Sequence, residues 1–160
     1  MTLHSEFRRP QIYACFVDDV AVTVNGPDPF VEADWDAYVE WAKHVVQSGQ
    51  RVASILTFSP FQSPNAAQRQ KIAATTQQAA GTNTFVALVT DSAAVRGAMT
   101  ALSWLSRSLH MKGFRPMESD LAIAWLGGKV TFDQQAARDA LKRGVAMVGY
   151  TTQDVYRWFS

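Results

Sequence analysis

Runs of β-branched and aromatic residues separated by turn residues define the first part of the chain. The segments Gln11–Val17 and Val20–Val24 each have the composition of a strand. Asp18 and Asp19 lie between them and suit a two-residue turn, so the pattern predicts a hairpin. Further strands are predicted at Arg51–Phe58, at Thr84–Thr90 and at the short edge segment 112–117.

Between these strands, apolar residues recur at three- and four-residue steps, which is the period of an amphipathic helix. The first helix is predicted to begin with Asp34 as its N-cap and to end at Gly49. The second is predicted to begin with Ser63 as N-cap and Pro64 at the first helical position. Later helices are predicted from the stripe Val95, Met99, Leu102, Leu105 and Leu109, after Ser119, and from about Asp133.

The second predicted helix has an unusual composition. Ile72 is its only large aliphatic residue, and the others are mainly Ala, Thr, Gln, Arg and Lys. Such a helix can approach a sheet only through small side chains. It is either a solvated helix of high propensity or a flat docking face, and the sequence leaves both alternatives open.

The order of elements predicts an α/β fold. Strands alternating with helices favour a mixed sheet of about five strands, with an N-terminal hairpin and later strands that run parallel. We expect a flexible lead-in over residues 1–10, an α/β domain over 11–127, and a C-terminal helical extension over 128–160 packed on the same domain.

Composition narrows the class of protein. Apolar residues make up 48% of the 160 residues, charged residues 18%, and the formal net charge is +1. This balance argues against a nucleic-acid-binding surface. The lone Cys15 fits a reducing compartment, and neither a signal peptide nor an apolar run of membrane-spanning length is evident. A cytoplasmic protein without a membrane span is the expectation.

Asp91 and Ser92 are the first candidates for chemistry, because they follow a predicted parallel strand and precede a helix. Open α/β sheets bind ligands at such positions, but Asp and Ser are also the usual N-caps. A nucleophilic serine needs an oriented base, and the sequence has no Gly-x-Ser-x-Gly elbow. The cap is the favoured interpretation, and no catalytic residue, metal ligand or cofactor site is predicted.

A second candidate site lies at the start of the second helix. Ser63 precedes Asn65, and Arg69 follows two turns on. The backbone amides at a helix N-terminus can hold an anion or a phosphoserine. As at Asp91 and Ser92, capping is the favoured interpretation.

The C-terminal tail carries a cluster of aromatic residues that is costly to leave exposed to water. Either these residues fold back onto the domain, or they cover a protein partner or a second copy of the chain. The tail aromatics are Tyr150, Tyr156, Trp158 and Phe159.

The segment "TFVALVTDSAAVRGAMTALSWLSRSLHMKGFRPMESDLAIAWL" resembles the C-terminal half of STAS domains, including the SpoIIAA-like (STAS-SEC14) branch. Val95-Arg96 and Ala122–Leu126 are the matching residues, and by order of elements the similarity covers about 11–127. The resemblance implies a fold of strands and helices in this order. It also implies a non-enzymatic module that acts through protein partners.

The resemblance adds two further expectations. Anti-sigma-factor antagonists of this family carry a phosphorylated Ser in an Asp-Ser-Ser-Gly motif, and the matching stretch here contains Ser59 and Ser63 without the Asp and the Gly. SEC14-like relatives suggest an alternative function, the binding of a lipid or another small apolar ligand. Its pocket would be lined by Met99, Trp104, Phe114 and Trp125.

The sequence therefore predicts a regulatory or assembly module that binds a protein partner and can form a homo-oligomer. Ligand binding is the alternative.

Overall fold

Six strands form one mixed sheet in the computed structural model, and they lie side by side in chain order. The first three strands are antiparallel, and β3 to β6 run parallel. This confirms the predicted α/β class with its N-terminal hairpin and parallel later strands. The strands are β1 (Phe7–Arg9), β2 (Ile12–Val17), β3 (Val20–Asn25), β4 (Val52–Phe58), β5 (Ala80–Val89) and β6 (Leu109–Phe114).

The structure describes residues 6–105 and 108–160, and for residues 76–82 and 102–105 the backbone alone. None of the helices in these ranges combines the length and the hydropathy that crossing a bilayer requires.

Strand β1 lies inside the segment predicted to be a flexible lead-in. It pairs with β2 because Phe7 supplies a buried anchor, with its ring 5.7 Å from Tyr38 and 5.8 Å from Trp41. Arg8 and Arg9 alongside it are exposed, and they give the segment the polar composition of a loop. One buried aromatic residue in a three-residue strand is too short a pattern to predict from alternation.

The helices lie on both faces of the sheet. Helices α1, α2 and α3 connect the parallel strands, and right-handed crossovers place all three on one face. The other face carries the three C-terminal helices and the main apolar core. The helices are α1 (Glu32–Gln47), α2 (Ala66–Ala79), α3 (Ala93–Leu105), α4 (Ser119–Gly127), α5 (Gln134–Met147) and α6 (Thr152–Phe159), with a 3₁₀ turn at Pro116–Glu118 before α4.

Several predicted boundaries were wrong, among them the edge strand predicted at 112–117, which the structure places at Leu109–Phe114 as β6. Helix α1 begins at Glu32 with Val31 at its N-cap, so Asp34 lies inside the first turn. Helix α2 is capped by Asn65 and not by Ser63, because Asn65 Oδ1 accepts from the Gln68 amide at 2.8 Å. Leu109 begins β6, so the predicted helical stripe runs four residues past the end of α3.

Candidate functional site

The two faces of the sheet are filled differently. Along β3, Val20, Val22 and Val24 point to the face of α5 and are fully buried in the main core. The alternate positions point to the face of α1 and α2, where a cavity of about 330 Å³ lies between sheet and helices. That volume is at the lower end of the usual range for small-molecule sites, ~300–1,000 Å³.

The floor of the cavity is built by side chains in register across four parallel strands. Ala21, Ile55, Val86 and Met111 form one row across β3, β4, β5 and β6. Thr84 and Leu109 extend the floor toward the N-terminal ends of β5 and β6. Because these side chains come from neighbouring strands of one sheet, the floor is a continuous and largely apolar surface.

The roof of the cavity is made by α1 and α2. Trp35 and Tyr38 from α1, and Ile72 and Ala73 from α2, line it from above. Helix α2 has α1 as its main packing neighbour. Trp35 Nε1 donates to the Gln68 carbonyl at 3.1 Å, which binds the two helices to each other.

Charged side chains reinforce the contact between the two helices. Lys71 Nζ lies 3.2 Å from Glu32 Oε1 and 2.7 Å from Asp36 Oδ1. Since all three side chains are exposed, these ion pairs contribute little free energy individually. The polar contacts nevertheless fix α2 against α1, while its small side chains leave the space above the sheet unfilled.

One end of the cavity is polar. Asn25, at the carboxyl end of β3, is only 2% exposed and lines the cavity. Its Nδ2 donates to Ser59 Oγ at 3.0 Å, and the Ser59 hydroxyl in turn donates to the Gln62 carbonyl. Asn25 Oδ1 is buried and has no hydrogen-bond partner among the described residues.

Thr23 and Tyr38 add two hydroxyl groups to the lining near this end. Their oxygens are 3.4 Å apart, longer than a good O–H···O hydrogen bond. Burial raises the pKa of the Tyr38 hydroxyl, which keeps it protonated and able to donate. No charged residue is among the described lining of the cavity.

The structure places Asp91 and Ser92 in a helix cap. Ser92 Oγ accepts from the Val95 amide at 3.2 Å, and the Asp91 amide donates to the Pro60 carbonyl at 3.1 Å. Arg96 reaches back to donate to the Thr90 carbonyl at 2.8 Å. The three residues stabilise one strand-to-helix connection, and none of them lines the cavity.

The candidate anion site at the start of α2 is not gathered into one cluster. Ser59 is buried and donates to the Gln62 carbonyl, whereas Ser63 is exposed. Asn65 caps α2, and Arg69 donates to the Pro64 carbonyl at 2.7 Å. Phosphorylation of Ser59 or Ser63 stays a prediction.

Three of the four tail aromatics fold back onto the domain. Tyr150, Trp158 and Phe159 are buried, and the Trp158 ring lies 5.4 Å from the Phe58 ring. Tyr150 also donates to the Asn25 carbonyl at 2.8 Å. Tyr156 is the tail aromatic that faces outward, with 76% of its surface exposed.

The cavity lies elsewhere than the sequence suggested. Phe114 and Trp125 belong to the core on the opposite face, with ring centroids 6.1 Å apart, and Met99 does not line the cavity. The side chain of Trp104 is outside the described residues.

The sequence contained two signals of the true lining. Polar Thr23 and Asn25 alternate with buried valines in β3, and Ile72 is the lone large aliphatic residue of α2. The polar residues in β3 indicate a strand face that is not fully apolar. The lack of other large aliphatic residues in α2 indicates a helix whose side chains are too small to fill the space beneath it.

A comparison with known proteins found no family model, curated protein or solved structure that matches this chain. The class that the fold and site define is an α/β domain compatible with a STAS-like fold, with a cavity between its sheet and its first two helices.

Proposed function

We propose that this domain binds a small apolar ligand in the cavity between the sheet and helices α1 and α2. The observation that carries the proposal is the cavity itself, with a largely apolar floor in register across four strands and a few polar groups in its lining. Binding sites for small molecules have this composition. The resemblance to SEC14-like relatives supports the same function.

Filling the cavity is expected to block binding. Ala21 lies in the central floor row, so Ala21→Ile adds three carbons to the space a ligand would occupy. With decanol as the apolar probe ligand, we expect the Kd to rise by at least about tenfold, equivalent to ~1.4 kcal/mol. The ligand-free variant should be no less stable than the unaltered chain, because the added carbons are buried and isoleucine favours strands. Isothermal titration calorimetry and urea unfolding measure the two effects.

A matched control is Ala124→Ile, which makes the same change at an exposed position of α4, on the opposite face of the sheet. It should leave the decanol Kd unchanged. Equal decanol affinity in all three proteins, or no binding to the unaltered chain, would refute the proposed function.

A second candidate function is assembly with a second copy of the chain, as the regulatory or assembly interpretation expects. Met117, in the 3₁₀ turn that packs against α6, is 72% exposed, and Leu121 and Tyr156 also present apolar surface to solvent. Exposed apolar groups of this kind favour association. A net charge of +1 offers little electrostatic repulsion between copies.

Charged substitutions on these elements test the second candidate. If the surface formed by Met117, Leu121 and Tyr156 joins two copies, the unaltered chain should sediment as a dimer. At the same concentrations, the double variant Met117→Glu, Tyr156→Glu is expected to sediment as a monomer. Lys43→Glu with Lys129→Glu, at exposed positions of α1 and of the loop after α4, is the control and should remain dimeric. A monomeric unaltered chain throughout the concentration series would exclude this assembly.

A further inference from the structure

Asn25 and Gly26 form the one Asn-Gly dipeptide of the chain. In such a dipeptide the backbone nitrogen of the glycine can attack the side-chain carbonyl carbon of the asparagine, because glycine has no Cβ to hinder the approach. The other asparagines, Asn65 and Asn83, precede residues that carry side chains. The sequence is therefore most open to deamidation by its own backbone at Asn25.

The fold requires both residues of the dipeptide. A Cβ at position 26 would lie 2.3 Å from Gln11 Oε1 and 2.6 Å from the Val148 carbonyl oxygen. The Val148 carbonyl belongs to the backbone and cannot turn aside as a flexible side chain would. Asn25 Nδ2 donates to Ser59 Oγ at 3.0 Å, which ties the end of β3 to the loop after β4.

Deamidation of this dipeptide takes two steps. The Gly26 amide nitrogen gives up its proton and bonds to Asn25 Cγ, and the side-chain amide group takes up a proton and leaves as ammonia. Water then adds to either carbonyl group of the cyclic imide and opens the ring, which leaves aspartate or isoaspartate at position 25. No atom is oxidised or reduced, and water is the co-reactant.

The folded conformation keeps the two reacting atoms apart. Asn25 ends β3 and pairs with Ile12 of β2, so its backbone is extended. An extended backbone turns the Gly26 nitrogen away from the Asn25 side chain. The ring can close only after the peptide unit between Asn25 and Gly26 rotates about the Asn25 Cα–C bond. Asn25 is also only 2% exposed, which shields it from the water that the second step needs.

Both polar groups of this peptide unit are hydrogen-bonded. The Gly26 amide donates to the Gln11 carbonyl at 2.8 Å, and the Asn25 carbonyl accepts from the Tyr150 hydroxyl at 2.8 Å. Rotation of the peptide unit breaks both bonds. Tyr150 is buried in the connection between α5 and α6. The second bond is therefore lost when the start of the C-terminal tail lifts away from β3.

We infer that Asn25-Gly26 is a self-modification site that the C-terminal tail holds unreactive, and that opening of the tail at Tyr150 allows the dipeptide to deamidate. The change is permanent. Aspartate has no N–H to donate to Ser59 Oγ, and isoaspartate adds a carbon to the main chain of β3. A transient opening is thereby converted into a lasting loss of contact between β3 and the loop after β4. The reaction needs no ligand in the cavity, so it is independent of the proposed function.

Incubation of the unaltered chain in mildly alkaline buffer, with and without urea, tests the site. Peptide mapping by mass spectrometry distinguishes asparagine, aspartate and isoaspartate at position 25. We expect conversion at Asn25 in the urea-unfolded chain and conversion at least about tenfold slower in the folded chain, because the rate follows the open population. Asn65 and Asn83 serve as internal references and should convert more slowly than Asn25 in urea. No conversion at Asn25 in urea, or equal rates with and without urea, would overturn the inference.

Tyr150→Phe tests the role of the tail, because it removes the hydroxyl and keeps the ring. Conversion at Asn25 in the folded variant should become at least about fivefold faster, since losing one buried hydrogen bond raises the open population by about that factor. Tyr156→Phe makes the same change at an exposed position of the tail and should leave the rate unchanged. Equal rates in the two variants would contradict control by the tail.

If Tyr150→Phe does not fold, the unaltered chain still decides. At urea concentrations below the unfolding transition, conversion at Asn25 and hydrogen exchange of the Gly26 amide should accelerate together, because both require the same peptide unit to open. Conversion that begins only with global unfolding would show that the tail does not open locally, and the inference would fail.

Discussion

Trp158→Ala is expected to lower the free energy of unfolding by ~3–5 kcal/mol, the usual cost of truncating a large buried aromatic side chain. Trp158 is 5% exposed, and its ring lies 5.4 Å from Phe58, 5.1 Å from Tyr150 and 6.0 Å from Phe61. Alanine would leave an unfilled space between α6 and the end of β4. Urea unfolding followed by circular dichroism measures the loss.

Tyr156→Ala in the same helix is the matched control. Its side chain is exposed, so the change should stay within ~0.5 kcal/mol. Equal, small effects of the two substitutions would mean that the tail does not pack on the domain in solution. A large effect at Trp158 alone would assign the tail to the core and leave Tyr156 for contacts outside it.

The burial of the tail shows what the sequence could and could not predict. The cost of exposing aromatic residues predicted that the tail is covered. Whether a partner or the same chain covers the tail depends on the position of α6 relative to β4. The capping box of Thr151 and Asp154 fixes the start of α6, and from that start Trp158 reaches Phe58 of β4. The contact between Trp158 and Phe58 joins residues far apart in the chain, so no local sequence pattern predicts it.

The fold was more predictable than the site. The runs of β-branched and aromatic residues in the N-terminal hairpin and the three- and four-residue steps in the helices are local patterns, so they can be read along the chain. The predicted position of β6, 112–117, was shifted from the observed Leu109–Phe114. Leu109 fits the spacing of the preceding helix as well as the alternation of a short strand. Where two periods share a residue, only the tertiary contacts decide between them.

The cavity could not be located from the sequence because it is a space left between elements. Trp125 and Phe114 were predicted to line a pocket because SEC14-like relatives suggest one, but these large rings pack in the core on the opposite face. The cavity is left unfilled because Ile72 is the only large aliphatic residue of α2. This composition is visible in the sequence, but its consequence depends on the packing of α2 against α1, which the sequence does not show.

Gly144→Ala is expected to destabilise the protein by ~1–3 kcal/mol, although alanine is the better helix former. Gly144 lies in α5, which packs against β2 and β3. A Cβ there would lie 2.5 Å from Tyr13 Cδ1 and 2.7 Å from Val24 Cγ2. Tyr13 cannot easily give way, since its hydroxyl donates to Glu6 at 2.8 Å and accepts from Arg143 Nε at 3.1 Å.

Gly97→Ala in α3 makes the same change where a Cβ meets nothing within 4 Å. It should raise the free energy of unfolding by ~0.5–1 kcal/mol, the difference in helix propensity between glycine and alanine. Chemical denaturation of both variants under the same conditions gives two effects of opposite sign if α5 packs on β2 and β3 as described. A stabilising effect at both positions would contradict that close approach, because propensity would then outweigh contact with Tyr13 and Val24.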